Sequence, residues 1–205
     1  MGNKNVEKII KNIRDGKMVI IVDDEDRENE GDLVVAAEKI TPEIVNFMVT
    51  HAKGLVCIPM LSERLKELQL PAMVQDNTAP LSTAFTISVD AVKDVSTGIS
   101  AHDRSNTVKA LIDEKTNPED LARPGHLFPL RYREGGVLVR AGHTEAAVDL
   151  AQMAGLYPAG GICEILSTDG SSAKMDELEN FSKQHNIDIV SIAEIIAYRR
   201  SHERM

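Results

Sequence analysis

The chain has 205 residues, with 23 Lys plus Arg against 32 Asp plus Glu and a formal charge of −9. This length suits one globular domain that buries roughly 70% of the surface of its unfolded chain. We therefore read residues 1–205 as a single domain. The acidic balance gives no electrostatic reason to seek nucleic acid or an anionic membrane, and three Tyr, four Phe and no Trp make a poor base-stacking platform.

Val6, Ile9, Ile10 and Ile13 share one helical face, and Gly16 is a stop signal. This N-terminal segment is amphipathic, unlike the apolar core of a signal peptide, and no apolar run approaches the ~18 residues of a membrane span. Met18–Val22 and Leu33–Ala37 read as strands around a dense acidic segment. Thr41 and Pro42 cap and start a helix ending before Gly54. Leu55–Pro59 is strand-like, and Ser62 caps a short charged helix. Phe85–Val89 alternates as a half-buried strand, Thr97–Asp103 reads as a polar loop, and Arg104–Asp113 has helical spacing. Asn117-Pro118 and Arg123-Pro124-Gly125 are turn signals. Glu134-Gly135-Gly136 predicts a hairpin between Phe128–Arg131 and Val137–Arg140. Thr144 opens an Ala-rich helix closed by Gly155, and Gly160-Gly161 leads into the strand Ile162–Leu166. Asp176–His185 is helical, Ile187–Val190 is a strand, and Ser191 caps a last helix to Arg200. Helices alternate with strands, but hairpins are mixed in. The expected class is α+β: one layered domain with a mixed parallel and antiparallel sheet flanked by helices. Cys57 and Cys163 lie far apart and form no CxxC pair, which predicts free thiols in a reducing cytoplasm.

Asp23 to Asp32 places seven carboxylates in ten positions, with Arg27 as the only cation. Such a run is usually a solvated face. Here it is held between two apolar strands, and crowded like charges raise one another's pKa unless a cation compensates. A hard divalent ion with oxygen ligands would do so. Asp26-x-Glu28-x-Glu30-Gly31 copies half of a calcium loop, but its twelfth position is Ala37 where a bidentate Glu belongs, and its flanks read as strands.

Arg140-Ala141-Gly142-His143-Thr144 lies between a strand and a helix. Gly142 allows a tight turn, Thr144 stands where free N–H groups favour an anion, and Arg140 offers a planar fork to phosphate. His143 could equally be an ordinary capping residue. Asp103–Thr107, at another helix start, is a weaker candidate of the same kind, readable as a simple N-cap with a surface Arg. His126 follows Arg123-Pro124-Gly125 and is expected on a rigid turn. Glu164 interrupts an apolar strand. It either alternates outward or is held as a perturbed acid.

In this order and spacing, Asp23-Asp24-Glu25-Asp26-Arg27-Glu28-Asn29-Glu30-Gly31-Asp32, Arg123-Pro124-Gly125-His126-Leu127-Phe128-Pro129-Leu130, Gly142-His143-Thr144-Glu145-Ala146, and Gly155-Leu156-Tyr157-Pro158-Ala159-Gly160 running into Cys163-Glu164 resemble the 3,4-dihydroxy-2-butanone-4-phosphate synthase family. These riboflavin-pathway lyases convert D-ribulose 5-phosphate into L-3,4-dihydroxybutan-2-one 4-phosphate and formate. The resemblance runs from about Val6 to Arg204. It implies a magnesium-dependent homodimer with active sites near the subunit boundary, with two ions expected per site. Because imidazole prefers softer ions than Mg²⁺, Mn²⁺ is expected to be able to substitute. It implies Glu28 and His143 as metal ligands, and His126 and Glu164 as catalytic groups. Arg27, Glu28, Asp32, Arg140, Ala141, Gly142, His143, Thr144 and Glu164 are implied as substrate contacts. Asp23, Cys57 and Thr97 are implied, less specifically, as pocket residues. Some members carry a second, GTP cyclohydrolase domain. With the chain ending at Met205, that activity is expected to be missing. A phosphate dianion among so many acids needs local cations, and Arg27, Arg140, the metal and the helix start at Thr144 would reverse the field.

Overall fold

The computed structural model describes residues 2–202. In chain order it runs α1 (Gly2–Arg14), β1 (Val19–Val22), β2 (Gly31–Ala36), α2 (Pro42–Phe47), β3 (Cys57–Met60), α3 (Ser62–Glu67), β4 (Val89–Ala91), α4 (Ala101–Ile112), β5 (Leu121–Arg131), α5 (His143–Met153), β6 (Gly160–Glu164), α6 (Met175–His185), β7 (Ile189–Ser191) and α7 (Ile192–His202). The seven strands form one mixed sheet in the order β4-β5-β3-β6-β2-β1-β7. β1/β7 and β3/β5 are parallel, and the other neighbours are antiparallel. The expected α+β class with a mixed sheet is what the chain forms.

Both faces of the sheet are buried, because the central strands are apolar at nearly every position, Asp32 of β2 and Glu164 of β6 being the acidic exceptions. Ile20, Val22, Leu33, Val35 and Ile58 point to one side and pack with Val45, Leu65, Val108 and Leu178 of α2, α3, α4 and α6. Val19, Ile21, Val34 and Ala36 point to the other and pack with α1, α5 and α7. The four α1 residues that share a helical face are all buried there, each contributing about 1.5–3 kcal/mol of apolar burial. Cys57 and Cys163 are free, and they lie in cores on opposite faces of the sheet.

The helix expected from Thr41 forms as α2, with the Ile44 N–H donating to Thr41 Oγ1 at 3.3 Å. It widens into a π-turn, Met48–Ala52, that ends in the left-handed residue Lys53 at φ 72°. Ser191 caps α7 as expected: its hydroxyl accepts from Glu194 N–H at 3.2 Å, and Glu194 accepts from Ser191 N–H at 2.9 Å. Three expectations need correction. Arg123-Pro124-Gly125 is not a chain reversal but a bulge inside β5. The ladder jumps from Val89↔Leu127 to Asp90↔Ala122, and residues 123–126 arch out around a cis Arg123–Pro124 bond. His126 therefore sits on a strand bulge. Val137–Arg140 forms no strand, because Val137 is buried in a 3₁₀ turn whose N–H donates to Asp149 at 2.9 Å. Phe85–Val89 contributes only isolated bridges before β4.

α4 begins at Ala101, inside the expected polar loop, because Asp103 gathers that loop. Its carboxylate accepts from Ser96 Oγ at 2.8 Å, Ser96 N–H at 3.1 Å and Gly98 N–H at 3.0 Å. These hydrogen bonds, with that of the Ser96 hydroxyl the largest, hold its pKa down at about 2. The folded pKa lies below the ordinary value, so this stabilisation is complete above about pH 4 and is lost as pH falls toward 2. Asp103→Asn is expected to lower the thermal midpoint at pH 7 and to flatten its fall between pH 4 and 2. Parallel acid limbs in the two proteins would contradict this.

Candidate active site

Asp23 organises the acidic loop between β1 and β2. Its carboxylate accepts from Glu28 N–H at 3.0 Å, Glu30 N–H at 2.9 Å and Arg27 Nη1 at 2.8 Å. The loop is thereby divided. Asp24, Glu25 and Asp26 face solvent, whereas Asp23, Arg27, Glu28 and Glu30 are half-buried and Asp32 is buried. The solvated-face reading holds for three of the seven acids and fails for the rest.

β2 brings Asp32 opposite Glu164 of β6, and Leu33 opposite Cys163. On the neighbouring element, His143 is the first residue of α5, and its Nδ1 lies 3.3 Å from Glu28 Oε2. Asp23, Glu28 and His143 each offer a ligand atom, and these atoms lie within 4.8 Å of one another. A cavity of about 110 Å³ is lined by Arg27, Glu28, Glu30, Asp32, Cys57, Thr83, Phe85, Leu130, Arg140, His143, Thr144, Ile162 and Glu164. Eight of these, Arg27, Glu28, Asp32, Cys57, Arg140, His143, Thr144 and Glu164, are site residues named from the sequence. Ala141 and Gly142 do not line it. Ala141 is exposed, and Gly142 caps α5. A side chain at Gly142 would collide with Arg140 Nη1, so glycine lets that guanidinium fold back to Glu145 at 2.7 Å.

The electrostatics fit a cation. His143 Nε2 and Asp32 Oδ1 are buried without a hydrogen-bond partner among the described residues, and such orphaned atoms call for a ligand. Burial pushes the Asp32 carboxyl up to about 7, helped by Glu164, Glu28 and Glu30 and opposed by His143. Burial alone would lower His143, but Asp32, Glu28 and Asp23 carry it up to about 9. Its hydrogen bond to His143 holds Glu28 below the usual carboxylate range. The donors are carboxylate oxygens with one imidazole, a set that accepts Mg²⁺ or Mn²⁺.

His126 and Thr97 lie elsewhere. His126 Nδ1 is 2.6 Å from Asp90 Oδ2, and Asp90 Oδ1 accepts the His126 N–H at 2.8 Å. Gly98, at φ 94°, packs against both side chains, where a Cβ would collide with Asp90. Thr97 precedes it on the same loop. Asp90, Glu145 and Thr83 were missed from the sequence. Asp90 carries the signal that marked Glu164, an acid beside buried strand residues. Glu145 lies three residues after the Gly142 cap, where an acid reads as a simple helix-start charge.

A mixed-sheet α+β fold with acids, an imidazole and two arginines around one cavity offers a candidate site for a divalent metal beside an anionic ligand. The sequence model for 3,4-dihydroxy-2-butanone 4-phosphate synthase matches residues 7–198, and the chain belongs to that family. The riboflavin biosynthesis protein RibBA of Endomicrobium trichonymphae is 56% identical over 195 residues, 95% of this chain and 48% of that protein. The 3,4-dihydroxy-2-butanone 4-phosphate synthase of Neisseria meningitidis serogroup B is 53% identical over 200 residues, 98% of this chain and 55% of that one. The chain thus spans about half the length of these curated relatives. A solved 3,4-dihydroxy-2-butanone 4-phosphate synthase in complex with two magnesium ions superposes with a TM-score of 0.91 at 39% identity, covering 96% of this chain and 97% of that one. The two-domain RibBX of A. baumannii gives 0.94 at 50% identity, covering 98% of this chain and 59% of that one. Among the described residues, no helix is long and apolar enough to cross a membrane.

Proposed function

We propose that this chain is a cytoplasmic, magnesium-dependent lyase of riboflavin biosynthesis. It converts D-ribulose 5-phosphate into L-3,4-dihydroxybutan-2-one 4-phosphate and formate. The observation that carries the reading is the meeting of Glu28 and His143, far apart in sequence, with Asp23 within 4.8 Å, in a chain of this family.

Glu28 and His143 would hold the metal, with Asp23 and Asp32 around them. When bound, a divalent ion polarises the ketone of an α-hydroxyketone and makes the adjacent C–H more acidic. The chain's own groups do the rest. Arg140 and the N-terminus of α5 at Thr144 receive the phosphate. Arg27, 2.8 Å from both Asp23 and Glu28, can exchange those partners for substrate oxygens. Glu164 Oε2 is fixed by the Leu55 N–H at 2.8 Å, which leaves Oε1 to take or return a proton at the substrate carbon skeleton. Asp32, buried and paired across the sheet with Glu164, is a second carboxyl placed to hold or pass a proton. Every step moves a proton or migrates a bond beside a carbonyl, and acid–base groups and a metal suffice for such steps. His126 would act across a homodimer boundary, from a second copy.

The protein with Mg²⁺ and ribulose 5-phosphate is expected to release formate and a four-carbon phosphate in equal amounts, and EDTA is expected to stop both. Absence of formate, or turnover indifferent to EDTA, would reject the reading. Mn²⁺ is expected to restore activity after chelation.

A further inference from the structure

Two cavities of opposite lining meet at Arg27, Arg140 and Thr144. The inner one holds Glu28, Glu30, Asp32 and Glu164. The outer one, of about 380 Å³, is lined by four arginines, Arg27, Arg131, Arg133 and Arg140. Its single carboxylate is Glu145, and both oxygens are engaged, Oε2 by Arg140 at 2.7 Å and Oε1 by the Arg133 N–H at 3.3 Å. Among the described residues, no acid pairs with the side chain of Arg131 or Arg133, and both are exposed. In a chain of charge −9, this concentrates uncompensated positive charge at one mouth.

The backbone that carries these two arginines is fixed. Tyr132 between them is buried, and its hydroxyl donates to Asp149 at 2.9 Å. Successive side chains of an extended segment alternate, so Arg131 and Arg133 share the opposite side. The Arg131 N–H donates to the Ala84 carbonyl at 3.0 Å, and the Tyr132 N–H donates to that of Met60 at 3.0 Å.

We propose that Arg131 and Arg133 form an outer anion subsite. It takes the phosphate monoester dianion together with the Arg140–Thr144 turn and selects phosphorylated over uncharged hydroxyketones. The proposal rests on the sugar-phosphate reading above. Neither arginine lines the inner cavity that holds Glu28, His143 and Glu164, so both would strengthen substrate and transition state alike and act on KM rather than kcat.

The test is the double variant R131A/R133A, loaded with Mg²⁺ and titrated calorimetrically with inorganic phosphate, alongside steady-state kinetics with ribulose 5-phosphate. At low ionic strength both the phosphate Kd and KM are expected to rise about five- to twentyfold, with kcat within about twofold, and the gap is expected to narrow as salt screens the charges. R131K/R133K is expected to recover most of the loss. Equal phosphate binding in wild type and double variant, no phosphate binding by wild type, or a fall in kcat at constant KM would each overturn the subsite. Wild-type protein that binds phosphate but fails to turn over the sugar phosphate would reject the lyase reading instead. The phosphate titration would still decide for or against the arginines.

Discussion

Glu28→Gln and His143→Ala are each expected to reduce turnover to background and to weaken Mg²⁺ binding by at least about a hundredfold, beyond the loss typical of altering a ligand's supporting partner. The three donor atoms of Asp23, Glu28 and His143 lie within 4.8 Å of one another, so neither change leaves a set that can close around an ion. The fold should survive. Each substitution removes one member of a crowded charge cluster from the end of a loop or the first turn of a helix, and neither side chain belongs to the apolar cores. The proton adds a second signature. With its pKa near 9, His143 is an imidazolium at neutral pH, and an imidazolium has no lone pair for a metal. Cation uptake must therefore expel a proton, and Mg²⁺ affinity is expected to rise with pH, by about tenfold per unit, until pH 9. His143→Ala should lose that slope together with the affinity. Calorimetry in buffers of different ionisation enthalpy measures both quantities. A pH-independent wild-type affinity, or tight binding by either variant, would remove these residues from the metal site.

The acidic loop was legible because its strands are plain: Val19–Val22 and Leu33–Ala36 are apolar at every position, and the segment between them could only be a short connection. The half of that loop that turns inward was not legible. It depends on Asp23 accepting three hydrogen bonds from residues up to seven positions away, a choice that side-chain type alone does not dictate. β5 shows the opposite failure. Arg123-Pro124-Gly125 has the composition of a turn, yet the strand resumes beyond it, because Gly125 lets the Val89–Asp90 backbone approach where any Cβ would collide. The missing strand after Gly136 has a similar origin. Val137 alternates well enough for a hairpin, but its N–H is claimed by Asp149, a buried acid on α5 twelve residues away. Tertiary partners decided both cases, and a local pattern carries no record of them. At Arg140 the sequence pointed to a phosphate fork, whereas one arm of that fork already belongs to Glu145. The buried pair holds the guanidinium at the junction of the two cavities, with its other arm toward Leu81 and Thr83.

Mixing His126→Ala with His143→Ala, each inactive alone, is expected to restore about a quarter of wild-type activity. Random exchange makes about half of the dimers mixed, and each mixed dimer keeps one intact site. The reason lies in where His126 stands. Asp90 fixes its ring through Nδ1 at 2.6 Å, which leaves Nε2 for proton transfer on a side chain that is 43% exposed. Neither His126 nor Asp90 lines the cavity that holds Glu28, His143 and Glu164. On the proposed reading, in which His126 serves catalysis, a second copy would have to bring this pair to the acids. Two exposed apolar residues mark the surfaces that would meet. Leu55, 43% exposed, is the residue whose N–H holds Glu164, and Ile99, 52% exposed, follows the glycine packed on His126. Covering both would remove apolar surface from water while completing the site. The control is a mixture of Glu28→Gln with His143→Ala. Those lesions fall in the same half, so each of the two sites in the mixed dimer carries one of them, and the mixture should stay inactive. Recovery in the control, or silence in the first mixture after subunit exchange is shown by mass spectrometry, would mean that His126 does not serve a neighbouring cavity.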